Sequence, residues 1–101
     1  MSTPQFQDIP NRRLEELMSF PALIPVKAIS HKQADEAQFR ATLIELTALH
    51  VPGFQSDLVS IRASSAGNYY AATLSVTFAN ADQFRMLDAA LRAHPMVRLV
   101  L

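Results

Sequence analysis

Residues 58–79 read LVSIRASSAGNYYAATLSVTFA, two alternating runs flanking a small polar stretch. In the second run Ala72, Leu74, Val76 and Phe78 point one way, and Ala71, Thr73, Ser75 and Thr77 the other. In the first, Val59 and Ile61 alternate with Ser60 and Arg62. Residues 58–64 and 69–79 are therefore two strands of a sheet with one apolar face. Directly opposed residues share a face, and a one-residue slip would send one strand's apolar set into water. Parity thus pairs Ile61 with Ala72, Val59 with Leu74, Ala63 with Tyr70 and Ser64 with Tyr69. The loop is residues 65–68, and Gly67 or Asn68 supplies a left-handed residue. Ser64 and Tyr69 become neighbours on the polar face, while Tyr70 turns toward the apolar one.

Working outward, residues 35–49 read as a helix, with Phe39, Leu43 and Leu46 recurring on one face and Ile44 widening it. Pro52-Gly53 breaks it. Residues 23–30 (LIPVKAIS) read as a strand, with Pro25 expected near its start or at a bulge. After the hairpin, Asn80 and Gln83 resemble a capping box opening a second long helix, buried through Phe84, Leu87 and Leu91 and stopped by Pro95. Residues 96–101 (MVRLVL) form a last strand. Asn11 caps a short helix through Met18, with Leu14, Leu17 and Met18 as its apolar stripe, ended at Phe20-Pro21. The order is a short helix and then βαββαβ. That predicts an α+β, ferredoxin-like sandwich: a four-stranded antiparallel sheet with two helices on one face. The first and third strands are central and the second and fourth are edges.

The chain has 101 residues, half of them apolar, which suits a single domain over residues 11–101 behind a flexible tail at residues 1–10. There is no cysteine, so disulfides, thiolate metal sites and a cysteine nucleophile are excluded, as fits a cytoplasmic protein. Nine basic residues balance nine acidic ones, against a dedicated nucleic-acid or anionic-membrane surface. Residues 1–10 do not read as a signal peptide, and no apolar run approaches the roughly 20 residues of a membrane span.

Chemistry is sought on the sheet face that the helices leave uncovered. By alternation it carries Lys27 and Ile29, Ser60 and Arg62, and Ser64 and Tyr69. Thr73, Ser75 and Arg98 join them. Lys27, Arg62 and Arg98 would be cations on three different strands, a setting for a small anion or a protein partner. RNA is the weakest reading of this face, because RNA sheet platforms present two or three aromatics and here only Tyr69 is well placed. The junction at Ser30, His31 and Lys32 joins the first strand to the first helix, where amides and the helix dipole favour anions. Asn68 belongs with these contacts. His31, His50 and His94 have no i, i+4 spacing of a helical metal site, and the dipole accounts for His50 and His94 at helix ends. Ser64 and Ser65 lack a nucleophile elbow, and the loop with Gly67 lacks a phosphate-binding pattern. No catalytic residues, metal or cofactor are expected. The apolar last strand, at an edge, is expected to pair with a second copy of the chain.

Phe20-Pro21, Val26-Lys27, Ser64-Ser65-x-Gly67-Asn68-Tyr69 and Val97-Arg98-x-Val100-Leu101 together resemble the YbeD-like family of small bacterial proteins of unassigned function. The resemblance covers about residues 14–101. It implies a ferredoxin-like fold similar to ACT regulatory domains, which bind small effectors such as amino acids. The function it implies is a non-enzymatic regulatory or small-ligand-binding module. A protein-interaction adaptor using the open sheet face is the alternative.

Overall fold

The computed structural model describes residues 15–101. The expected tail at residues 1–10, and Asn11 and Leu14 of the expected short helix, lie outside the described residues. The elements are β1 (Ala22–Ser30), α1 (Glu36–His50), β2 (Val59–Ala63), β3 (Tyr70–Phe78), α2 (Ala81–Ala93) and β4 (Val97–Val100). A single 3-10 turn, Ser56–Leu58, leads into β2. The strands form one antiparallel sheet in the order β2-β3-β1-β4, the ferredoxin-like arrangement expected from the element order. No helix among the described residues is long and apolar enough to cross a membrane.

The hairpin has the register that parity requires: Val59 faces Leu74, Ile61 faces Ala72 and Ala63 faces Tyr70. The Ser64 N–H donates to the Tyr69 carbonyl at 2.8 Å, closing the loop at residues 65–68. Gly67 takes φ +72°, and its N–H donates to the Ser64 carbonyl at 2.9 Å, the bond of a tight turn. Tyr70 packs against the core, as its position predicts.

The core lies between one sheet face and the two helices. Ile24, Val26 and Ala28 of β1 join Ala72, Leu74, Val76 and Phe78 of β3, and Phe39, Leu43, Phe84, Leu87 and Leu91 cover them from the helices. The Phe78 and Phe84 rings meet edge to face, with centroids 5.3 Å apart. Asp35 caps α1 by accepting from the Gln38 N–H at 2.9 Å, and Asn80 caps α2 through Gln83 at 2.9 Å. Gln83 reaches back to the Ala79 N–H at 2.7 Å, one residue earlier than in a capping box.

Several local expectations are corrected. Leu46 is only half-buried, and the third buried position of α1 is Thr47, one helical turn beyond Leu43. Leu17 is exposed rather than part of a buried stripe, whereas Met18 packs against the core. Pro25 sits within β1, neither at its start nor at a bulge. The Lys27 carbonyl accepts from Leu101, so Lys27 turns its backbone toward β4. Pro25, two residues earlier, turns the same way, beyond the end of β4, where no strand among the described residues needs its missing N–H.

The largest departure is in β4. Val100 faces Ala28 and Leu99 faces Ile29, but Ser30 faces Val97, so a bulge leaves Arg98 without a ladder partner. Both Val97 and Val100 are buried. Burying two residues three apart in a strand requires such an extra residue, because the side-chain period is two.

Both sheet edges are covered at one carbonyl by an arginine from the overlying helix. On β2, Arg40 donates to the Val59 carbonyl at 3.4 Å and lies 3.9 Å from Glu36, one turn earlier. On β4, Arg92 donates to the Val100 carbonyl at 3.2 Å and is held by both carboxylate oxygens of Asp88 at 3.1 and 3.0 Å. Outward carbonyls of an edge strand are templates for another chain, and these arginines occupy one on each edge.

Candidate functional site

The uncovered sheet face is built row by row. Ser60, Thr73 and Lys27 lie opposite one another across β2, β3 and β1. Arg62, Ala71 and Ile29 form the next row. Lys27 and Arg62 thus stand diagonally across β3, about 12 Å apart at their Cα atoms by ordinary strand spacing. Both are exposed, and among the described residues neither has an acidic partner. The side chain between them is Ala71, which leaves a shallow hollow of about 300 Å³ walled on the far side by Ile29 and Leu101. The Leu101 N–H donates to the Lys27 carbonyl at 2.9 Å, which fixes the leucine beside the hollow.

The bulge decides the character of this face. Regular alternation from buried Val97 would place Arg98 on it. With the extra residue, Leu99 takes the open-face position opposite Ile29, and Leu101 follows two residues on. Arg98 instead lines a separate depression at β4 together with Arg92. At the ladder position opposite Ile29 the face therefore carries leucine, and Arg98 stands beside it at the β4 edge. The face combines two cations that have no acidic partner among the described residues with an apolar wall. Alternation does not place Leu99 and Leu101 on this face, because residues 96–101 are apolar on both parities.

The junction and the hairpin loop, separate in sequence, meet at one end of the sheet. Ser30 is fully buried, and its Oγ accepts from the Tyr70 N–H at 2.9 Å and donates to the His31 carbonyl at 3.0 Å. The β1–β3 ladder stops at Ile29 and Ala71, so the hydroxyl supplies the bond that the next pair would have made. The Gln33 N–H donates to the Asn68 carbonyl at 3.2 Å, with Gln33 at φ +63°. Ser64 Oγ accepts from the Asn68 and Tyr69 N–H groups at 3.0 and 3.3 Å. Ser30, Ser64 and Asn68 therefore hold backbone together. The α1 N-terminus, expected to favour an external anion, is capped by the chain's own Asp35. His31 and Lys32 are exposed, and Tyr69 is half-buried next to Ala71's end of the open face.

His94 is not explained by the helix dipole alone. It follows the last residue of α2, and its Nδ1 accepts from the Met96 N–H at 3.1 Å, so the ring also serves the backbone. Among the described residues, no three His, Asp or Glu side chains gather where a metal could be held.

Fold and face define a ferredoxin-like α+β module with one helix-covered and one open sheet surface. The chain belongs to the family described as "Protein of unknown function (DUF493)", whose model matches residues 15–101. It is 37% identical over 95 residues to a UPF0250 protein of Leptothrix cholodnii, covering 94% of this chain and 99% of that one. A UPF0250 protein of Paraburkholderia phymatum is 34% identical over 87 residues, covering 86% of this chain and 94% of its own length. One from Neisseria gonorrhoeae is 34% identical over 85 residues, covering 84% and 90%. These matches agree with the YbeD-like resemblance, and the family has no assigned function. No solved structure matches the chain.

Proposed function

We propose that the chain is a non-enzymatic regulatory or small-ligand-binding module that works through its open sheet face. The observation that carries this reading is the hollow between Lys27 and Arg62, two exposed cations without acidic partners among the described residues. Burial and pairing consume the polar groups best suited to chemistry elsewhere: the hydroxyls of Ser30 and Ser64 and Nδ1 of His94 all serve backbone groups. A cytoplasmic setting belongs to the same proposal and fits the absence of cysteine. Thermal-shift measurements with amino acids and anionic metabolites test it. A ligand at 100 times its dissociation constant adds about 2.7 kcal/mol to stability. If no metabolite shifts the transition, the reading fails.

A second reading, an adaptor that docks a protein on the same face, is favoured by Leu23, Leu99 and Leu101, exposed by 66, 48 and 61%. Its mark would be a protein partner whose binding is lost on replacing Leu99 with a charged residue. RNA binding through Lys27, Arg62 and Tyr69 is the weakest alternative and requires affinity that falls steeply with salt. A homodimer through an edge strand also remains a proposal, and pairing across β4 at Val100 has to displace Arg92.

A further inference from the structure

We propose that the hollow on the open face takes a compact organic anion, with its carboxylate or phosphate head between Lys27 and Arg62 and its apolar body against Ile29 and Leu101. This rests on the small-ligand reading above and names the ligand's chemistry.

The charge requirement comes from the two cations. They approach from β1 and β2 on opposite sides of β3, so one anionic group above Ala71 lies within reach of both side chains. Arginine and lysine differ in what they supply: a planar fork for two oxygens from Arg62, and a compact point charge from Lys27. Thr73 adds a hydroxyl in the row beside Ala71. A neutral ligand would leave both charges uncompensated.

The size limit comes from the hollow. At about 300 Å³ it stands at the small end of ligand sites, enough for a ring or a short branched chain beside one head group. Ala71 sets this room, since any longer side chain there would fill the space between the cations.

The apolar requirement comes from the bulge. If Arg98 took a regular ladder position, Leu99 and Leu101 would turn to the buried face; because it is an extra residue, Leu99 stands opposite Ile29 and Leu101 lines the wall. A free inorganic anion would use the cations and gain nothing from this wall. A purely apolar ligand would gain the wall and bury both charges. The arrangement suits a molecule with both parts.

The test compares four probes by amide chemical-shift titration: benzoate, phenyl phosphate, acetate and neutral benzamide. Benzoate or phenyl phosphate is expected to move the amides of Ile29, Arg62, Ala71, Thr73 and Leu101 together, and their relative affinity identifies the preferred head group. Acetate and benzamide are expected to bind at least about tenfold more weakly, a difference of about 1.4 kcal/mol. Lys27→Gln and Arg62→Gln, both at exposed positions, should leave the thermal transition in place and each weaken benzoate binding several-fold. Equal binding of benzoate and benzamide, or binding indifferent to both substitutions, overturns the proposal. A ligand of other chemistry, such as a zwitterionic amino acid, that moves the same amides while the aromatic anions do not also overturns it, yet leaves the small-ligand reading standing. If the face responds to none of the probes or metabolites, both fail.

Discussion

Replacing Ser30 with alanine removes one oxygen that serves two backbone groups. Its Oγ accepts from the Tyr70 N–H at 2.9 Å and donates to the His31 carbonyl at 3.0 Å, at a position with no solvent exposure. Each hydrogen bond contributes about 1 kcal/mol net, and an unmet donor in a water-poor site adds a further desolvation cost, giving about 2–3 kcal/mol in total. Alanine keeps the β-carbon, so little of this loss is a cavity effect. In a domain of this size that lowers the thermal midpoint by about 10–20 °C. Urea unfolding gives the free energy, and native-state hydrogen exchange at the Tyr70 amide locates it. Thr47→Val is the matching control. The Thr47 hydroxyl is buried in α1 with no hydrogen-bond partner among the described residues, so its removal should raise stability by about 1 kcal/mol. The two changes delete the same chemical group with opposite expected signs. A Ser30→Ala protein within 0.5 kcal/mol of the parent, a threshold set by the smallest useful hydrogen-bond value, would refute the bridging role. So would unchanged protection of Tyr70.

Gly67→Ala should cost about 1–2 kcal/mol by urea unfolding. Gly67 sits at φ +72° and an added Cβ would meet nothing within 4 Å, so the whole cost is backbone strain, and a neutral result would remove the left-handed turn from the account. Arg92→Ala uncovers the Val100 carbonyl at the β4 edge, and sedimentation should show stronger self-association than the parent if edge pairing is available to this chain. Unchanged sedimentation would argue against dimerisation through β4. Deleting Arg98 should leave a folded protein with β4 amide protection retained, because Val97, Leu99 and Val100 then follow in regular alternation. Loss of β4 protection would show that the bulge is a necessary part of the strand.

The hairpin was legible because two independent apolar runs had to share one buried face. Only one register meets that condition, and Val59 with Leu74 and Ile61 with Ala72 satisfied it together. Element order then carried the strand order, since βαββαβ leaves few ways to cover a single sheet face. In β4 the same logic gave too little. The strand is short, its flanking residues are apolar on both parities, and alternation alone could not show that an extra residue separates Val97 from Leu99. In α1, apolar spacing points to Phe39, Leu43 and Leu46, but the helix buries Phe39, Leu43 and Thr47, each one turn apart, because the polar Thr47 carries no signal in a count of apolar residues. Ser30 is expected among ligand contacts because the amides and helix dipole at a strand–helix junction favour anions. Its actual task depends on where the β1–β3 ladder runs out, which no local pattern records.

The same reasoning separates the polar residues of this chain into two kinds. Ser30, Ser64 and His94 each use a side-chain atom to satisfy a backbone group that an interrupted ladder or a tight turn leaves unpaired, and Asn68 does so through its backbone carbonyl. Arg40 and Arg92 answer a longer-range problem, the open carbonyls of the two edge strands. Lys27 and Arg62 answer neither. Each has a cross-strand partner on β3, stands on the face opposite the helices and has no carboxylate partner among the described residues. Placing both beside an alanine and a leucine-lined wall gains nothing for folding, since their side chains would be as well solvated on any other exposed position. What the placement does provide is a short cationic span over a small apolar recess. That is why the functional reading rests on these two residues rather than on the more conspicuous polar loop, where the Ser64 hydroxyl and the Ser64, Gly67, Asn68 and Tyr69 amides already hold the turn.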